Sequence, residues 1–277
     1  MGNETAQRVA RELAAVCGVQ AVVLGGSHCT GTATEQSDLD IGVYYNGSLD
    51  TASMDAAITR LDDAGRKKLL NVPGQWGNWI NGGAWLTVGG MKVDILLRDV
   101  AKVRQVIDDC QQGKVTMDFQ CGHPFGFCSA IYMGEVKYCL PLYDPYQAME
   151  QLKKLADPVS SAYRSSVSGW FLWEAGFSLQ TGKASSVKHD IVYAAGALFK
   201  GVMCLVQALF ATNGEILLNE KGALRRLSQS TFCPASFVED AEAALQGLDK
   251  DHLGRSFELL EKKNLQVSRL LESDRCV

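Results

Sequence analysis

Val22-Val23-Leu24-Gly25-Gly26-Ser27-His28-Cys29-Thr30-Gly31-Thr32-Ala33-Thr34-Glu35-Gln36-Ser37-Asp38-Leu39-Asp40-Ile41-Gly42-Val43-Tyr44-Tyr45 is the stretch on which the chain turns. It begins inside an apolar run of strand length, Val19 to Leu24, and breaks at a Gly-Gly-Ser turn. Ser27 to Thr32 follows as a short helix or turn, and the polar segment after it leads into a second strand, Leu39 to Tyr45, closed by Asn46-Gly47. Side chains alternate along a strand, so Asp38 and Asp40 fall on one face, about 7 Å apart. Two carboxylates so placed repel each other unless a cation lies between them. A glycine turn beside them lets backbone N–H groups approach an anion. Magnesium takes one or two carboxylates and completes its shell with phosphate oxygens, so a metal–phosphate ligand suits the pattern.

Further along, Ala84–Val88, Gly89-Gly90 and Met91–Leu97 read as a β-hairpin on a Gly-Gly turn, and its second strand carries Asp94. Gly-Ser, about a dozen residues, Asp-x-Asp, and a third carboxylate on a later strand together form a pattern that resembles the signature of the nucleotidyltransferase superfamily with the DNA polymerase beta-like fold. The motif match covers residues of about 20–98. The resemblance implies that Asp38 and Asp40 bridge two Mg²⁺ ions and that Asp94 holds the ion that activates the acceptor hydroxyl. It implies that Gly26 and Ser27 hold the terminal phosphates of ATP or another nucleoside triphosphate. It also places the Asp94 strand beside the Asp38/Asp40 strand.

The rest of the N-terminal half alternates helices with these strands. Thr5–Cys17 has helical spacing closed by Gly18, Ser53–Leu70 reads as a helix, and so does Val100–Cys110. The segments 71–83 and 115–127 are rich in Gly and Pro and read as loops. Ile131–Leu140 fits helix or strand, and Leu142-Tyr143-Asp144-Pro145 reads as a turn and a domain boundary. From Tyr146 onward only helices are predicted: Tyr146–Ala156, Ala162–Gln180, Ser186–Ala211, Glu220–Gln229, Ala235–Leu245 and Leu253–Leu271. Gly182 and Gly214 are read as stops and Asn219 as an N-cap. The expected fold is therefore α+β. A polymerase beta-like domain of mixed sheet and helices spans 1–145, and an all-α bundle at 146–277 closes over the active site. This two-part layout is similar to the antibiotic (aminoglycoside and lincosamide) nucleotidyltransferases.

Composition narrows the function. The formal net charge is −4, and all of it lies in residues 1–145 while 146–277 is balanced. Neither half has the basic excess of a nucleic-acid surface, so no nucleic acid is expected as acceptor. The polar N-terminus shows no apolar core of a secretory signal. The apolar run Ile191–Phe210 contains Lys200 and reads as a buried bundle helix, so no membrane partner is expected. Nine cysteines, with no Cys-x-x-Cys pair, fit reduced thiols in a cytoplasmic protein.

Other residues are nominated by type. Lysine binds triphosphates as a point charge, and Lys221 and Lys188 are the candidates. Trp76, Trp79 and Trp85 offer stacking surfaces for a base or an acceptor, and His123 and Asp118 a polar contact. Asp94, Asp118 and Asp190 are alternatives for the general base. The expected activity is Mg²⁺-dependent transfer of a nucleoside monophosphate, AMP from ATP by default, to a hydroxyl of a small molecule, an antibiotic being one such acceptor. Protein adenylylation of the antitoxin-like kind and a silent nucleotide-binding regulator are the alternatives. Relatives of this kind often work as homodimers.

Overall fold

The computed structural model of the chain describes residues 2–31, 33–34, 37–186, 190–249 and 251–274. In order the elements are α1 (Gly2–Ala14), β1 (Val19–Leu24), α2 (Gly26–Thr30), β2 (Leu39–Tyr45), α3 (Thr51–Leu61), β3 (Gly83–Val88), β4 (Met91–Asp99) and α4 (Val100–Gln111). There follow β5 (Met117–Asp118), β6 (Phe127–Cys128), α5 (Ala130–Tyr138), β7 (Leu140–Tyr143), α6 (Ala148–Ala156), α7 (Ser161–Ser186), α8 (Ile191–Thr212), α9 (Ala223–Leu227), α10 (Phe237–Gln246) and α11 (Leu253–Asp274). The chain is α+β, a mixed sheet with helices followed by a mostly helical region. It divides into two compact units, Met1–Cys110 with Ser129–Pro158, and Gln111–Cys128 with Val159–Val277.

In the first unit five strands lie in the order β3-β4-β2-β1-β7. The β2–β4 pair is parallel and the other pairs are antiparallel. One face is the core. Leu39, Ile41 and Val43 of β2, Val93, Ile95 and Leu97 of β4, and Ala84, Leu86 and Val88 of β3 all bury there against α1 and α3. Period-two alternation then leaves Asp40, Gly42 and Tyr44, Asp94 and Arg98, and Trp85 on the opposite face. At the β3–β4 turn Gly89 and Gly90 both have positive φ, 58° and 77°, as a type I′ hairpin requires.

The structure differs from, or decides between, several of these readings. The helix read over 53–70 ends at Leu61, because Asp62 leaves the helix and turns its carboxylate inward. It accepts from the backbone N–H of Arg66 and of Thr87 at 3.1 Å each, and pairs with the Arg66 guanidinium at 2.6 Å. The undecided stretch is helix α5, and the expected turn at 142–145 is partly strand β7, which pairs with β1. Pro141 is tolerated there because β7 is an edge strand. The boundary read at 145/146 differs from that of the compact units, which part after Pro158. Helix α6 stays with the first unit, where the Lys153 ammonium donates to the carbonyls of Lys137 and Cys139 at 3.0 and 2.7 Å. Finally, the 115–127 loop contains the short β5–β6 hairpin and belongs to the second unit.

The second unit is built on α7 and α8. From Gly201 to Thr212 every residue of α8 is buried. This helix is long and apolar enough to cross a membrane, yet 78% of its most apolar window is covered inside the protein, as a bundle core helix requires. Gly182 does not end α7. A Cβ there would meet Ala197 Cβ at 2.5 Å and the Phe257 ring at 2.7 Å, so the glycine lets α7 approach α8 and α11. Gly214 is the stop that was read, with φ 69° just after α8.

Candidate active site

The β1–α2 turn is shaped by its contact with β2. The Gly25 N–H donates to the Asp40 carbonyl at 2.8 Å, which extends the β1–β2 ladder into the turn. Gly26 has φ 59°, and a Cβ on it would overlap the Asp40 carboxylate. Both reasons exclude a side chain at Gly26. α2 then runs to Thr30 and closes on Gly31 in the left-handed region. Cys29, within α2, is half-buried, its thiol donating to the Leu24 carbonyl at 2.9 Å.

The three nominated carboxylates come together. Asp40 and Asp94 are register partners on the parallel β2–β4 pair and point to the same face. Asp38 shares that side two residues earlier. All three are half-buried. Burial pushes the Asp40 carboxyl up to about 6, reinforced by the charges of Asp94, Asp38 and Glu135, while His28 pulls the other way. His28 Nε2 is buried with no hydrogen-bond partner. A set of mutually repelling carboxylates is a cation-seeking donor set, so the residues fit a divalent ion by their chemistry. Among the described residues no three His, Cys, Asp or Glu side chains close into a ready-made metal cage. An ion held by a few carboxylates and by substrate phosphates needs no such cage.

Behind the row stands a buried ion pair. Arg98, 2% exposed, donates to both Glu135 oxygens at 2.8 and 2.7 Å, and its guanidinium lies 4.8 Å from the Tyr132 ring centroid. Tyr132 in turn donates its hydroxyl to the Trp79 carbonyl at 2.6 Å, and the Trp79 ring meets it edge-on at 5.5 Å. Trp79 is thus bound into packing. Trp76 differs, stacking on Trp85 with ring centroids 4.4 Å apart and planes 24° apart. Trp85 is the register partner of Asp94 and is 59% exposed.

The remaining nominations lie in the second unit or outside the described residues. Asp118 is exposed at the end of β5 and accepts from the Thr116 hydroxyl at 3.4 Å. His123 packs edge-on against Phe127, and its Nδ1 stands 3.4 Å from Glu220 Oε2, an ion-pair distance without hydrogen-bond geometry. Lys221 is exposed, with its backbone N–H donating to Asn219 Oδ1. Asp190 caps α8, accepting from the Tyr193 N–H at 3.1 Å. Lys188 falls outside the described residues. Sequence reasoning missed Glu135 and Arg98, whose only local signal is an ordinary charge on a helix and a strand.

Comparison with known proteins bears on the same segment. No curated protein matches the chain. Twelve chains of solved structure match. One is a nucleotidyltransferase-like protein from Exiguobacterium sibiricum, 12% identical, with the match covering 98% of this chain and 74% of the other at a TM-score of 0.45. The family model for the nucleotidyltransferase domain matches residues 4–113, the stretch that holds the β1–α2 turn and all three carboxylates. Residues 4–113 are thus similar to a nucleotidyltransferase domain, and the chain is a transferase enzyme.

Proposed function

We propose that the chain transfers a nucleoside monophosphate from a nucleoside triphosphate, ATP by default, to a hydroxyl of a small molecule, with release of pyrophosphate. The observation that carries this reading is the Asp40–Asp94 row lying against the Gly26 turn, where close approach excludes any side chain. In the reaction the acceptor oxygen forms a bond to the α-phosphorus. The bond from that phosphorus to the bridging oxygen breaks, and pyrophosphate leaves with the electron pair. Asp94 takes the hydroxyl proton. Asp190 is engaged in capping α8, which disfavours it as the base. Gly26 and Ser27 bind the leaving phosphates. Asp38, Asp40 and Asp94 would hold Mg²⁺, two ions by the family resemblance, and the bound cation supplies charge neutralisation on the phosphoryl oxygens. The eight described cysteines are all free thiols, which supports a cytoplasmic enzyme. Antibiotic hydroxyls enter the reading through the family resemblance alone.

The test uses thermal unfolding with each nucleoside triphosphate and Mg²⁺, followed by transfer of α-labelled phosphate. Ligand at a hundred times its dissociation constant stabilises by about 2.7 kcal/mol. The native chain should show a Mg²⁺-dependent shift that Asp38→Asn/Asp40→Asn loses. Full transfer activity in Asp38→Ala would refute the reading, and label on a partner protein would redirect it to protein adenylylation.

A further inference from the structure

Sheet order and register set four features in a line across one face of the first unit. From β1 outward they are the Gly25–Ser27 turn, Asp40, Asp94 and Trp85. Neighbouring strands are about 4.8 Å apart, so Trp85 stands one strand beyond Asp94 and about 10 Å from the Asp40 strand. Trp85 occupies a mid-strand position yet is 59% exposed. An indole so placed leaves a large flat apolar surface in water.

The shelf it forms is held in place. Trp76 comes from the 71–82 loop and lies over Gly83, where a Cβ would approach its ring to 2.9 Å. Asn71 and Gly83 exchange both backbone hydrogen bonds, at 2.8 and 2.9 Å, and tie the ends of that loop together. Within it, Gly74 N–H donates to Asn81 Oδ1 at 3.0 Å, and the Asn81 amide donates to the Tyr45 hydroxyl at 2.6 Å. The stacked indoles are therefore preorganised.

We infer that Trp85, backed by Trp76, binds the acceptor, and that the acceptor is a small alcohol carrying a flat aromatic ring. The inference rests on the nucleotidyl-transfer reading of the same site. In phosphoryl transfer the attacking and leaving oxygens are in line across the phosphorus. With pyrophosphate on the Gly26–Ser27 side, the hydroxyl arrives from the Asp94 side, and the next side chain in that direction is Trp85. An indole face selects by stacking and presents no hydrogen-bond code along its plane, so ring flatness is what it reads.

The probes are phenyl β-D-glucoside and methyl β-D-glucoside, which share their hydroxyls and differ in the flat ring. Their binding is measured by tryptophan fluorescence with Mg²⁺ and an ATP analogue whose α,β bond resists cleavage, and the affinity for the analogue is measured in parallel. The native protein and Trp85→Phe should bind the phenyl compound about tenfold more tightly than the methyl compound, and Trp85→Ala should lose that preference with its analogue affinity unchanged. Analogue binding without a ring preference in the native protein, or a preference that survives in Trp85→Ala, overturns the shelf. A ring preference that depends on Trp85 without any analogue binding supports the shelf and overturns nucleotidyl transfer instead.

Discussion

Gly26 and Asp40 are fitted against each other: the Asp40 carboxylate fills the space that any side chain at Gly26 would need, and the turn holding Gly26 is hydrogen-bonded to the Asp40 backbone. Gly26→Ala therefore meets two penalties, a positive φ and a collision with the carboxylate. The strained backbone alone costs about 1 kcal/mol. We expect at least a hundredfold loss of nucleotide transfer with only modest loss of stability. Steady-state kinetics beside a thermal melt would check both, and near-native activity in Gly26→Ala would contradict the close fit.

Asp40 stabilises the fold when protonated and strains it when charged. Its folded carboxyl titrates near 6 against an ordinary 3.8, mainly through burial and then through Asp94 and Asp38. The folded state thus holds the proton more tightly, and stability falls as pH rises from about 4 to 6. Above that window and without divalent cations the charged group costs about 2–3 kcal/mol. Asp40→Asn should melt higher than the native protein at pH 8 in EDTA, show little difference at pH 4, and lack transfer activity. A lower melting point at pH 8 would contradict the repulsion.

Glu135 is the counter-ion of a guanidinium that is 2% exposed. Removing one partner of a buried pair strands the other charge, at a cost of about 3–5 kcal/mol. Glu135→Ala should lose that much in urea unfolding. Arg98→Met/Glu135→Leu should recover most of the loss, because no buried charge then remains. A double variant as unstable as the single one would show that packing rather than charge is at stake.

Gly182 sets two effects against each other. Alanine is the better helix former by about 1 kcal/mol. Its methyl would press on Ala197 and on the Phe257 ring, and overpacking costs about 1–3 kcal/mol. The collision is with tightly packed neighbours, so it wins, and Gly182→Ala should lower the melting point. An increase would mean that α7, α8 and α11 separate more easily than their packing implies.

Asp62 gives an acid limit to the first unit. The hydrogen bond and charge of Arg66, with the Arg66 and Thr87 N–H groups, outweigh burial and hold its carboxyl well below the ordinary range. A depressed carboxyl contributes stability above its unfolded pKa, near 4, and loses it as pH falls toward the folded value. Asp62→Asn should therefore flatten the loss of stability below pH 4. An unchanged acid limb would place the acid lability elsewhere.

Much of the first unit was legible locally. Strands Val19–Leu24 and Leu39–Tyr45 have the bounds read for them, because alternation and flanking glycines are properties of the strand itself. The hairpin over Gly89-Gly90 was equally plain. Asp38 and Asp40 could be nominated because their spacing is local, and Asp94 through the family resemblance; among the described residues the helical character read from Tyr146 onward also holds, because helical spacing is local too.

Tertiary structure decided what depends on partners far along the chain. Helix α3 stops at Leu61 because Asp62 finds Thr87, 25 residues away. Leu140–Tyr143 is a strand because β1 leaves an edge open to it. Gly182 is a packing residue because Ala197 and Phe257 crowd it, where its local reading was a helix stop. The neighbours of the carboxylates are of the same kind: Glu135 beside Arg98, and Trp85 beside Asp94 on a stacked Trp76. By itself the sequence put Asp38 and Asp40 on one strand face through period-two alternation, and the family resemblance added Asp94 as their partner. The fold decided which side chains surround them, because charge pairing, ring stacking and edge pairing are set by which strands and helices become neighbours in space.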